Sequence, residues 1–182
     1  FHVATETGSK SDGEGTFDVE LAPLSSMPHS VHLFLQMVAH NLWDDTIFLH
    51  TAHHVLQAAP LAYPSGESRR SRFDDSGLSH LSFQEYSKDY PHEKYTLGFG
   101  GRPAGPDFYI STQDNSEYHG PGGQDHHDLH EEADPCFGKV VEGFDVVDQL
   151  HKRSMEMMKM GKEGWFGGDD VPITTIRRVD IL

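Results

Sequence analysis

Residues Cys136 to Val147 read CFGKVVEGFDVV, and two hydrophobic patterns meet inside this one stretch. Phe137 to Val141 is a short run of strand-forming residues. Beyond Gly143 the apolar positions move to helical spacing through Phe144, Val147, Leu150 and His151, which predicts a helix from Phe144 to about Met158. Cys136, opening the strand, reads as a small buried hydrophobe rather than a reactive thiol.

Working outward, Tyr95–Phe99 and Phe108–Thr112 are further short strands, set apart by the turn-rich segments GGRPAGP and HGPGGQ. Nearer the start, GTFDVEL at Gly15–Leu21 alternates Phe17, Val19 and Leu21 with polar neighbours and follows a turn-rich stretch, Gly8 to Gly15, so a hairpin is expected there. Pro28 suits a first helical turn, and Val31, Phe34, Leu35 and Val38 predict an amphipathic helix over Pro28–His40 that plugs a barrel end. Thr46–Leu49 and His54–Gln57 read as strands, Pro60–Ser79 as an exposed excursion, and Pro172 with ITTIRRVDIL as a closing strand. With no internal repeat and no linker, residues 1–182 read as a single domain.

Composition narrows the function. The net charge of -15, from 14 Lys plus Arg against 29 Asp plus Glu, opposes a phosphate backbone or an anionic lipid surface, so nucleic acid and membrane are poor partners. No apolar run is long enough to span a bilayer, and FHVATETGSK lacks a signal pattern, so the chain reads as a soluble domain from which a targeting sequence has room to have been removed. One cysteine excludes an intrachain disulfide, and the compartment stays open.

The order of these elements resembles the cyclophilin family of peptidyl-prolyl cis-trans isomerases. CFGKVVEGFDVV is similar to the strand, turn and helix after a cyclophilin's active-site loop, GPDFYIST at Gly105–Thr112 to its Gly-Ser-Gln-Phe-Phe-Ile strand, and GTFDVEL with MPHSVHLFLQM to its second strand and first helix. The resemblance implies a mainly β fold: a closed, eight-stranded antiparallel β-barrel capped by two α-helices. It also implies a reaction without a cofactor, in which an Arg, helped by Gln and Asn, lowers the barrier of about 18–20 kcal/mol to rotation about the prolyl C–N bond.

Several of those groups are replaced. The family's Phe-His-Arg run aligns with Phe48, Leu49 and His50, leaving an imidazole for the guanidinium, with one residue deleted before Gln57, which resembles the family's pocket Gln. His54 and Val55 stand for the pocket Phe and Met, and Asp107, Phe108 and Tyr109 for Gln-Phe-Phe. Phe99 to Arg102 matches Met-Ala-Asn-Ala without the Asn, while Leu129 and Asp134 fall where the family has its rim Trp and His. The expected function is therefore a divergent cyclophilin-like domain with lost or weak isomerase activity, binding peptide or protein, Pro-containing segments included, at the former active-site groove. The alternative is an active isomerase.

A third reading comes from the 14 histidines. His50, His53 and His54, with His119, His126, His127 and His130, would border one groove if the family resemblance holds, a donor set suited to Zn, Cu or Ni. Against it, polar loops carry His merely as a soluble residue, and no spacing here matches an established metal motif. A pH-sensing surface is a further use of the same residues. The methionines at 155, 157, 158 and 160 read as packing, and Trp165 and Phe166 as a turn pinned by its aromatics.

Overall fold

The computed structural model describes residues 1–7, 10–123, 132–162 and 172–182. Among these residues nine strands form one antiparallel sheet: β1 (His2–Thr7), β2 (Lys10–Thr16), β3 (Asp18–Leu21), β4 (Thr46–Leu49), β5 (Val55–Ala59), β6 (Thr96–Phe99), β7 (Phe108–Ser111), β8 (Cys136–Glu142) and β9 (Pro172–Arg178). Their order is β2-β1-β9-β4-β5-β7-β6-β8-β3. The sheet curls into a barrel because its two ends are the same piece of chain. β2 pairs with β1, the chain bends at Phe17, and β3 pairs with β8. Counting β2 and β3 as one bent strand gives the expected eight-stranded ring. The bend is fixed by burial: Phe17 is 1% exposed, its ring stacks on Phe1 at 4.7 Å, and its amide donates to the Phe1 carbonyl.

The expected turn over Gly8 to Gly15 is shorter than the sequence suggests, since Lys10–Thr16 continues the ladder with β1. Glycine and charged residues are depleted in strands, but here the ladder with β1 gives the backbone groups of this segment their partners and holds it extended.

Helix α1 (Pro28–Ala39) buries Val31, Leu33, Phe34, Met37 and Val38. Phe34 closes the barrel end, 4.9 Å from Phe137 and 5.6 Å edge-on to Phe108. No side chain of the N-cap residue caps this helix. Its first amides are satisfied from afar by buried Glu85, which accepts from the His29 amide (3.0 Å), the Ser30 amide (2.7 Å) and the Ser30 hydroxyl (2.5 Å).

Two short helices, α2 (Arg70–Asp75) and α3 (Ser116–His119), precede the long α4 (Phe144–Lys159), which buries Val147, Leu150, Ser154 and Met157. Gly143 starts α4 with φ 77°, and a Cβ there would stand 2.4 Å from the Thr16 carbonyl oxygen. The turn between the two patterns in CFGKVVEGFDVV therefore needs glycine.

The Pro60–Ser79 stretch is not simply an exposed excursion. Phe73 on α2 is fully buried, 5.1 Å from the Trp43 ring, which in turn packs at 4.7 Å on Phe108. One aromatic anchor in an otherwise polar segment ties it to the barrel core.

Candidate groove on the β5–β7 face

The strand period decides which residues reach this face. On β7, Phe108 and Ile110 point into the core, while Tyr109 points outward across β6, where its partner is Gly98. A Cβ on Gly98 would lie 2.7 Å from both Tyr109 Oη and His92 Cε1, so glycine makes room for the tyrosine ring. On β5, Leu56 and Ala58 are buried in the core, and Gln57 pairs with Tyr109 on one side and Leu49 of β4 on the other. Leu49 shares the outward face with Gln57, and the next residue turns inward.

That next residue is His50, only 4% exposed, with Nδ1 lacking a partner among the described residues. Burial pushes its pKa down, partly offset by a hydrogen bond with the Pro172 backbone. His50, which the resemblance sets at the family's Arg position, is thus a buried imidazole, and the residue across the ladder from Gln57 is Leu49.

A cavity of about 530 Å³ opens beside Gln57, lined by Arg70, Arg102, Asp107, Tyr109 and the glycine-proline loop from Gly100 to Pro106. Asp107 organises its wall. Gln57 Nε2 donates to Asp107 Oδ2 at 3.2 Å, Arg70 Nη2 donates to Oδ1 at 2.6 Å, and Thr51 Oγ1 donates to Gln57 Oε1 at 3.1 Å.

Behind Tyr109 lies a buried polar cluster. The Tyr109 hydroxyl donates to Asp134 Oδ2 (2.8 Å) and sits 2.5 Å from His119 Nδ1. Arg102 donates from Nη1 to Asp134 (2.7 Å) and from Nε to Glu132 (2.6 Å), so its charge is answered by two carboxylates. Burial alone would raise the Asp134 pKa, but hydrogen bonds from His119, Arg102 and Tyr109 outweigh it and hold the group at about 2. Tyr109 is pushed well above the usual phenol value by burial and by the Asp134 charge. His92, whose Nε2 donates to the Asp134 carbonyl at 2.8 Å, is lowered by burial to about 4. His54 is also lowered, first by burial and then by the neighbouring His119 and His53.

Of the residues singled out in the sequence, Gln57, Arg102, Asp107, Phe108 and Tyr109 line the cavity, although the Phe108 side chain belongs to the core. Asp134 lies behind Tyr109, and the His54 ring is 5.5 Å from His119. Val55 is buried opposite Ser111, and Phe99 is a core residue stacked on Phe137 at 4.4 Å. His53 is exposed, its carbonyl accepting from His151. Leu129, His126, His127, His130, Trp165 and Phe166 lie outside the described residues. Among the described residues, no three His, Cys, Asp or Glu side chains are placed to hold a metal ion, and no helix is long and apolar enough to cross a membrane. Cys136 is fully buried, and burial pushes its thiol up to about 12.

Two members of the site carry no signal in the sequence. Arg70 sits in a polar segment without periodicity, and His92 precedes a strand it does not belong to. Only the folded chain brings them to Asp107 and Tyr109.

Comparison with solved structures shows the same fold in a Cryptosporidium parvum cyclophilin type peptidyl-prolyl cis-trans isomerase. The TM-score is 0.53 at 20% identity, over 82% of this chain and 83% of that one. A second structure of that protein, in the presence of the dipeptide ala-pro, matches with TM-score 0.52 and 17% identity over 83% and 85%. No curated protein matches the sequence. The model of the cyclophilin type peptidyl-prolyl cis-trans isomerase/CLD family matches residues 2–177, nearly the whole chain. The chain belongs to the cyclophilin-type peptidyl-prolyl cis-trans isomerase family.

Proposed function

We propose that this cyclophilin domain binds peptide or protein segments, proline-containing ones included, in the groove along Gln57, Asp107 and Tyr109, with prolyl isomerase activity lost or weak. One observation carries the reading: His50, which the resemblance sets at the family's Arg position, is an imidazole only 4% exposed, and Leu49, paired with Gln57 across β4 and β5, offers neither charge nor donor to a twisted prolyl amide. Isomerisation in this family rests on fixed donors aimed at the amide as its conjugation breaks, and a missing donor of that kind costs about 100- to 1,000-fold in rate. Neither arginine of the cavity wall takes over the place: Arg102 is held by Asp134 and Glu132, and Arg70, tied to Asp107 with its side chain 52% exposed, is open to water, which weakens a donor for catalysis more than for binding. Binding asks less than catalysis: a cavity of about 530 Å³ with a few aimed polar groups is within the usual size of a ligand site.

A structural relative was crystallised in the presence of ala-pro, which recommends that unit as a probe. The test is a titration with a capped peptide containing Ala-Pro, followed by NMR, with cis–trans exchange measured in the same samples. The expected result is saturable shifts at Gln57, Asp107 and Tyr109 with an exchange rate close to that in buffer. Strong acceleration of exchange would restore the active-isomerase reading, and absence of binding would remove the peptide reading.

A further inference from the structure

The cavity contains a second guanidinium, Arg70, that the family alignment does not supply. It comes from α2, and the way α2 is fastened fixes where it points. Phe73, three residues on and therefore on the same helical face, is buried against Trp43, and Arg69 Nη1 donates to the Asp44 carbonyl at 2.7 Å. Between these two anchors Arg70 reaches over the cavity and meets Asp107 at 2.6 Å. Asp107 uses its other oxygen to accept from Gln57, so a cation and a neutral amide donor stand on either side of one carboxylate. Among the described residues Asp107 is the one side-chain group that engages the Arg70 guanidinium, whose side chain is 52% exposed and whose Nε and Nη1 have no hydrogen-bond partner among those residues.

We propose that Arg70 is the peptide-binding cation of this groove: held by Asp107 beside the Gln57 amide, it donates from its remaining N–H groups to a main-chain carbonyl oxygen of the bound segment. The inference rests on the peptide-binding reading and gives it a specific donor. The planar fork suits the task, since one edge can be anchored by the protein while another serves the ligand. Arg102, the other arginine in the cavity wall, is tied to Glu132, Asp134 and the Gly101 carbonyl, and answers to the buried cluster. A carbonyl oxygen is the matching ligand chemistry because Asp107 and Asp74 also line the cavity and repel an anionic side chain.

The probe is acetyl-Ala-Ala-Pro-Ala-amide, which has carbonyl groups but no charge. It is titrated into the whole chain while the Arg Nε–H resonances are followed by NMR. The Arg70 Nε–H signal is expected to move saturably with the same midpoint as Gln57, and Arg70→Gln to weaken binding about tenfold or more. Arg70→Lys, which keeps the charge without the fork, should fall between. If the peptide binds while the Arg70 resonance stays still, or if Arg70→Gln binds as tightly as wild type, the inference is overturned and the groove reading stands. If wild type shows no binding, the groove reading falls and takes the inference with it.

Discussion

Leu49 stands directly across the β4–β5 ladder from Gln57, and His50, its neighbour, is turned into the interior. The two positions therefore respond oppositely to the same substitution. Leu49→Arg places a guanidinium on the half-exposed outer face beside the Gln57 amide, and is expected to raise prolyl isomerisation of an Ala-Pro peptide about tenfold or more. An unchanged exchange rate, with the fold intact, would count against the missing donor as the cause of weak catalysis.

His50→Arg, by contrast, buries a charge where the wild-type imidazole has an Nδ1 without a partner among the described residues. The expected cost is about 3–5 kcal/mol of folding stability without any gain in isomerisation, read from urea unfolding together with the exchange assay. Gain of activity in this variant would show that a guanidinium at residue 50 reaches the prolyl amide.

The family and its barrel were legible because short strands and two helices announce themselves by period, and CFGKVVEGFDVV holds both periods around a glycine that the packing requires. The side of the sheet was harder to read. Which of residues 49 and 50 stands across from Gln57 is invisible to composition, since a shift of one turns every side chain over. Arg70 and Asp107 are 37 positions apart, and no local pattern links an arginine on a short polar helix to that carboxylate. The anchor responsible, Phe73, is a single aromatic among charged residues and carries no periodic signal.

Tyr109→Phe keeps the ring over Gly98 but removes a hydroxyl that serves both Asp134 and His119. Because Asp134 is 5% exposed, water replaces the lost donor poorly, and a loss of about 1–3 kcal/mol is expected in urea unfolding. A neutral effect would mean that the hydroxyl does not help hold the cluster together.

Gly98→Ala should be costly although it adds one methyl group. The new carbon would meet Tyr109 Oη and His92 Cε1 at 2.7 Å, and neither ring moves freely inside a hydrogen-bonded cluster. Overpacking of this kind costs about 1–3 kcal/mol, and the double variant Gly98→Ala, Tyr109→Ala should recover part of it. Additive losses in that pair would show that the clash is not with Tyr109.

The same cluster makes stability depend on acidity with a definite sign. His92 is held near 4 in the folded chain by burial, below its ordinary value of 6.5, so between those limits the unfolded chain binds a proton that the folded chain refuses. Stability therefore falls as pH drops from about 6.5 towards 4, by about 3 kcal/mol from this residue. Buried His50 and half-buried His54 are lowered too and act in the same direction. Asp134, held near 2 against an ordinary 3.8, contributes stability that is lost only as pH falls through that lower range. His92→Gln can keep a donor for the Asp134 carbonyl while removing the titrating group. Urea unfolding from pH 7 to 4 should then show a slope shallower by about one proton in the variant. A slope unchanged by His92→Gln would assign the acid sensitivity to His50 or His54 instead.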